Sequence, residues 1–358
     1  MTNDLDRLPA THESRPIYIS YIFFAVTLVL VGALHLATPL LTVLFCYFTL
    51  QKFKLGGSKA VAYMLFFLTL SLTFYGFVTF ARHAVKGLPD IAAKSIPKVI
   101  AYAQENSIQL PDDLLSESGR IDVEGLKAKT VEAVRHQVRY LANFAKLATK
   151  EFAFLLIGIV VACSLFSNPA MDLERGGHRV RNNLYTLTCD QIVMRFHSFY
   201  HSFERVMGAQ IIIALINTAA TAIFTIAVSL PYAPIVIGVT FICGLLPIIG
   251  NIISNTVIAG IAFTISPQLA IASLVFLIVL HKLEYFLNSK IVGTRIKNPV
   301  WLTLLGLILA ERLMGVPGII LAPVVLHFIK VESSQVEVRE FARKKIVPSM
   351  VEAENSPV

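Results

Sequence analysis

A few polar side chains stand where this chain is otherwise apolar. Asn251, Ser254 and Asn255 follow Leu246-Pro247-Ile248-Ile249-Gly250 inside an apolar stretch from about Pro231 to Ile265. Glu284 lies close to the end of the next apolar run. Glu311 and Arg312 interrupt a further stretch, from about Pro299 to Ile329, just before Met314-Gly315-Val316-Pro317-Gly318. An acid among apolar residues is expensive to keep in a membrane, and its usual work there is to bind a cation or carry a proton. Amides and hydroxyls beside a break supply donors and acceptors for a polar solute. The break itself aims helix-end N–H and C=O groups at that solute.

Each of these groups also has a plainer reading. Pro247 and Gly250, like Gly315, Pro317 and Gly318, would also serve as simple turns between ordinary helices. Glu284 would also serve as an interfacial residue paired with Lys282 or Lys290. Glu311 and Arg312 read as a structural pair or cavity lining before they read as a proton relay, because burying both is costly unless they pair or face water. Asn217, Thr218 and Thr221 put polar groups mid-way along another apolar run, where bonding between helices comes first and lining a pathway second.

Other chemistries have little support. His197 and His201 have the spacing that puts two imidazoles on one helix face, but no third ligand accompanies them, so no metal site is expected. His35 and His327 read as helix-end residues. Cys46, Cys163, Cys189 and Cys243 are scattered without CxxC spacing. There is no Walker A sequence, Rossmann fingerprint or nucleophile elbow, so no cofactor and no enzyme activity are expected.

The elements that must position these residues are membrane helices. Hydrophobic residues make up 55% of the 358 residues and charged residues 15%, against about 25% charge in soluble domains. Mean hydropathy is +0.68. The net charge of +8 sits mainly in short loops beside apolar segments, as positive-inside bias requires, and this argues against nucleic-acid binding. The fold class is an all-α polytopic membrane protein with about eight hydrophobic segments. Two of these are broken by Pro and Gly and read as re-entrant hairpins.

Loop charges give a topology. Residues 1–80 hold the N-terminal membrane segments, with an elbow marked by Gly32, His35 and Pro39. The loop Gln51–Lys59 has three lysines and no acid, which makes it cytoplasmic. Residues 81–151 form a hydrophilic, helical, extracytoplasmic insertion with a helix near Pro89–Asn106. A second, long helix runs from about Asp122 into the membrane helix 152–168. Residues 169–208 form a cytoplasmic amphipathic segment, 209–330 the transport core, and 331–358 a cytoplasmic tail. Both termini are then cytoplasmic, and the two broken stretches enter from opposite faces. Two full crossings give the same parity as a hairpin, so pairs of short spanning helices fit the charges equally well. Broken backbone at membrane depth survives only where protein or a water-filled cavity satisfies it. A pair of such breaks is the best sequence-level pointer to a transporter's binding site.

Three motifs carry a family resemblance. Leu246-Pro247-Ile248-Ile249-Gly250 resembles the Pro-x-x-Gly signature of the AI-2E transporters, also called the autoinducer-2 exporter or PerM-like permease family. His281-Lys282-Leu283-Glu284 with Lys290-Ile291-Val292-Gly293 resembles that family's Glu-then-Lys-Val-x-Gly stretch. Gly315-Val316-Pro317-Gly318 through Pro323 resembles its Gly-x-x-Gly-x-x-x-x-Pro stretch. The chain departs from the pattern at Asn251, where many relatives carry Pro, and at Val300-Trp301-Leu302 and Glu311-Arg312.

The resemblance implies a bacterial inner-membrane permease. Its partners would be the lipid bilayer and either a small polar solute, such as an autoinducer-2-like signal, or a monovalent cation exchanged for protons. A rival of another class is a non-transporting membrane scaffold. The large insertion is compatible with a homo-oligomer.

Overall fold

In a computed structural model of the chain, the described residues are 14–54, 57–105, 149–168, 183–247, 249–291 and 299–335, with isolated positions 128, 131, 132 and 136. Among them the regular elements are ten α-helices. The first two, α1 (Ser14–Ala33) and α2 (Ala37–Lys52), fold back at Leu34–Leu36, where His35 takes a left-handed φ of 55°. The structure thus puts the elbow at one of the residues that mark it in the sequence.

Helix α3 (Lys59–Glu105) runs for 47 residues without a break, roughly 70 Å at 1.5 Å per residue. The apolar segment and the start of the insertion therefore share one helix. The sequence starts a separate helix near Pro89, yet α3 runs through both Pro89 and Pro97, although proline costs an interior helix about 3 kcal/mol. Packing overrides them. A Cβ on Gly87 would fall 2.4 Å from Ile235, and Tyr102 meets Phe263 edge-on with centroids 5.2 Å apart. The expected long helix from Asp122 lies mostly outside the described residues. Its membrane end is α4 (Thr149–Ser167).

Helix α4 packs along α2 so closely that a Cβ on Gly158 would fall 2.6 Å from Thr42. Helix α5 (Leu184–Ala227) joins the amphipathic segment to the next crossing as one 44-residue helix. Gly208, the expected boundary, is a lone glycine, which costs a helix only about 1 kcal/mol relative to alanine. Five helices among the described residues are long and apolar enough to cross a membrane: α1, α3, α5, α8 and α10.

Both broken stretches are helical hairpins. In the first, α6 (Ala233–Gly244) turns at Leu245–Pro247 into α7 (Ile249–Phe263), which is followed by α8 (Pro267–Ile291). In the second, α9 (Val300–Met314) turns at Gly315 into α10 (Val316–Ser334). With 12 and 15 residues, the arms of the first are about 18 and 22 Å long, short of a hydrocarbon core of about 30 Å.

Candidate functional site

At the second tip, Gly315 has φ 65° and ψ −148°, backbone that essentially only glycine adopts. Its N–H donates to the Glu311 carbonyl at 2.7 Å, and the Gly318 N–H donates to the Gly315 carbonyl at 2.9 Å. Pro317 sits in the first turn of α10, where its missing N–H is no loss. A Cβ on Gly318 would fall 2.0 Å from the Ala310 carbonyl oxygen. At the first tip a Cβ on Gly250 would fall 1.7 Å from the Cys243 carbonyl oxygen. Each hairpin therefore needs a glycine where its arms touch.

A helix end leaves carbonyls without partners. At the end of α6 one of them is satisfied from another helix: Gln210 of α5 donates through Nε2 to the Gly244 carbonyl at 2.6 Å. Gly244 also lies against Ala214 of α5, 3.1 Å from its Cβ as measured from an added Cβ. This seats the tip on α5. From there Asn251, in the first turn of α7, reaches Glu284 of α8.

Three elements converge on the Glu284 carboxylate. Asn251 donates through Nδ2 to Oε2 at 2.6 Å, and Asn217 of α5 donates to the same oxygen at 3.3 Å. The start of α7 thus lies beside that oxygen. Asn217 is 4% exposed and Ser254 4%. Ser254 donates to the Asn251 carbonyl at 3.3 Å, which leaves it beside the cluster. Asn255 is partly buried on the same helix.

Further buried polar groups lie along α5 and α8. The helices pack antiparallel, with Asn217 opposite Glu284 and the Phe224 and Phe276 rings stacked 4.2 Å apart. Thr221, one turn beyond Asn217, is fully buried, and so is Ser273 of α8. Asn217 Oδ1, Thr221 Oγ1 and Ser273 Oγ are buried with no hydrogen-bond partner among the described residues. A buried polar atom without a partner is uncommon and marks a place suited to water or solute. Thr218 instead donates back to the Ala214 carbonyl at 2.7 Å on its own helix.

The other sequence candidates lie elsewhere. Glu311 and Arg312 are exposed on α9, and no ion pair joins them among the described residues. His197 and His201 stack loosely at 6.4 Å, with His201 Nδ1 3.4 Å from Glu204. Among the described residues no group of three or more metal-ligating side chains forms. The two hairpins do touch: Leu246 of the first tip packs on Leu307, Ile319 and Ala322 of the second hairpin.

Sequence reading missed several groups. Gln210 and Ser273 look like ordinary polar residues in apolar helices. The signal for Ser273 is its helical register with Leu277, Leu280 and Glu284. Also missed was a buried cluster of Tyr21, Arg195 and Glu332. Tyr21 donates to Glu332 Oε2 at 2.8 Å. Arg195 bonds the same oxygen and lies over the Tyr21 ring, 4.3 Å from its centroid. Arg195 and Glu332 are 8% and 5% exposed, so α1, α5 and α10 meet at an ion pair.

A family model for AI-2E family transporters matches residues 16–336. The chain belongs to the AI-2E transporter family. It is a multi-pass membrane protein of a transporter family, as the sequence motifs led one to expect. It is also 25% identical over 327 residues to a protein of Bacillus subtilis (strain 168) named "Putative transport protein YdbI", a match that covers 86% of this chain and 89% of that one. No solved structure matches. In this AI-2E transporter the Glu284 cluster ties the break at Pro247–Gly250 to the acid of α8 through the Asn251 side chain.

Proposed function

We propose that this permease moves a small polar solute across the bacterial inner membrane by alternating access, and that the solute binds at Glu284, Asn251 and Asn217. The observation that carries this reading is the carboxylate held by two amides from two other elements, one of them the first turn after a broken helix. A carboxylate flanked by amides suits a compact, hydroxyl-bearing ligand, because each hydroxyl can donate to the carboxylate and accept from an amide. Export of an autoinducer-2-like signal fits that chemistry and the family. The loop charges support a cytoplasmic location for both termini.

In this scheme Gln210 and Ala214 hold the first tip on α5 while the second hairpin shifts against Leu246. Water reaches the site along Thr221 and Ser273. Glu311, Arg312, Gly315, Pro317 and Gly318 belong to the moving tip rather than to the binding site.

A second reading has its own support. Glu284 with Asn217 Oδ1 and Thr221 Oγ1 offers oxygen ligands to a monovalent cation, with the carboxylate as the proton carrier. The deciding experiment uses liposomes that hold the purified protein and an internal pH dye, with the membrane potential clamped. A Na⁺- or Li⁺-specific pH change lost in Glu284→Gln makes the protein an antiporter. Silence for each cation, with labelled signal efflux that is lost in Glu284→Gln, supports the exporter. If Glu284→Gln alters neither flux, the site is wrong.

A further inference from the structure

Helices α1 and α2 diverge from their elbow at His35 and make little contact with each other. Helix α5 crosses the open end. It holds the α1 arm through Phe24, whose ring lies 5.4 Å from both Phe196 and Phe199, and the α2 arm through Tyr47, 4.9 Å from Tyr200. A window of about 350 Å³ remains between the arms, within the range of true ligand pockets. Its sides are Phe24, Leu28 and Val31 on α1 and Leu40, Val43 and Leu44 on α2.

The α5 edge of the window is different. Beside Ile192, Phe196 and Phe199 it carries His197 and Tyr200, and Tyr47 of α2 faces them. Tyr47 accepts from Gln51 Nε2 at 2.7 Å, and the Tyr200 hydroxyl is buried without a partner among the described residues. Just beyond lie Lys52, paired with Glu204 at 2.7 Å, and exposed Lys54. The loop they open, Gln51–Lys59, carries three lysines and no acid, so Glu204 offsets only part of its charge. The window is thus apolar along its length and basic at one end.

The bilayer decides what meets such a window. Helix α1 is long and apolar enough to span, and its face away from the window exposes Ile22, Val26 and Val29, so the solvent around this helix is hydrocarbon. An apolar gap that faces hydrocarbon fills with acyl chain, because an empty gap forfeits its packing contacts. Lysines at the membrane edge then favour an anionic headgroup. We propose that the window binds one acyl chain of an anionic phospholipid, with the phosphate at Lys52 and Lys54. This site is separate from Glu284 and does not depend on which solute is moved.

The test is native mass spectrometry of the full chain taken from bilayers of equal phosphatidylglycerol and phosphatidylcholine. The wild type should keep one lipid through detergent exchange, with phosphatidylglycerol favoured about fivefold or more. Leu40→Trp, which fills the window, should lose that lipid. If that variant does not stay monodisperse, Leu28→Phe fills the same space by less. Lys52→Gln with Lys54→Gln should keep a lipid but bring the two headgroups to parity. Three results would overturn the proposal: a wild type that keeps no lipid, equal retention of both headgroups by the wild type, and full retention in the filled variants. A second copy of the chain retained in place of lipid would overturn it as well.

Discussion

Asn251→Ala tests the site most sharply, because the structure gives it one polar task there. It removes the 2.6 Å donor to Glu284 Oε2 and leaves the carboxylate with Asn217 at 3.3 Å. A hydrogen bond to a charged group contributes about 1.5–3 kcal/mol. If the solute needs the carboxylate in this position, apparent affinity should fall roughly 10- to 100-fold, at about 1.4 kcal/mol per decade. Asn217→Ala removes the longer bond and should cost less, about 0.5–1.5 kcal/mol, or up to roughly tenfold.

A double-mutant cycle on solute binding to the purified protein, which reads affinity even where transport is lost, makes the test. Asn251 acts through Glu284, so Asn251→Ala should add little once Glu284→Gln is in place, and the coupling should reach about 1 kcal/mol or more. Independent residues would add to within about 0.5 kcal/mol. Additive losses, or an Asn251→Ala protein with wild-type affinity, would refute the idea that the break positions the carboxylate.

The hairpin crossings should be intolerant of any side chain. Gly250→Ala and Gly318→Ala drive a Cβ to 1.7 and 2.0 Å from backbone oxygens, so each should lower the detergent melting temperature more than Gly260→Ala, whose added Cβ meets nothing within 4 Å. The buried ion pair should show the penalty for losing one partner: Arg195→Met or Glu332→Gln alone should destabilise by about 3–5 kcal/mol, and the pair together by less than the sum. Exposed Glu311 and Arg312 should tolerate glutamine within about 0.5 kcal/mol of stability, and transport by Glu311→Gln should stay near wild type. A proton-coupling role for Glu311 would instead abolish it.

The breaks were legible because glycine and proline act locally. Gly315 needs its φ of 65° whatever surrounds it, and Pro317 marks the start of α10 from sequence alone. Glu284 was legible as an acid in apolar company. Its partners were not, because Asn251 and Asn217 reach it only through the antiparallel registers of α7, α8 and α5. Helix continuity was the harder problem. Gly208 and Pro89 look like ends, yet α5 and α3 run through them, because tertiary packing outweighs a penalty of about 1–3 kcal/mol. The Tyr21–Arg195–Glu332 cluster gave no local signal at all, since its members lie on helices far apart in sequence.

One helix links both hairpins. Helix α5 holds the first tip through Gln210, bonded to the Gly244 carbonyl at 2.6 Å, and touches the end of α10 through Arg195 and Glu332. Two turns beyond Gln210 it carries Asn217, which bonds the central carboxylate. The three attachments differ in kind. The Gln210 bond satisfies a carbonyl freed by the helix break, and losing it would leave a buried acceptor unpaired at about 1–3 kcal/mol. The Arg195 bond joins buried charges, and separating them would cost more. The Asn217 bond is long, and its oxygen is unpartnered, so it is the cheapest of the three to exchange for a ligand. On these magnitudes a bound solute competes first for Asn217, and the frame made by α5 stays intact while the site rearranges.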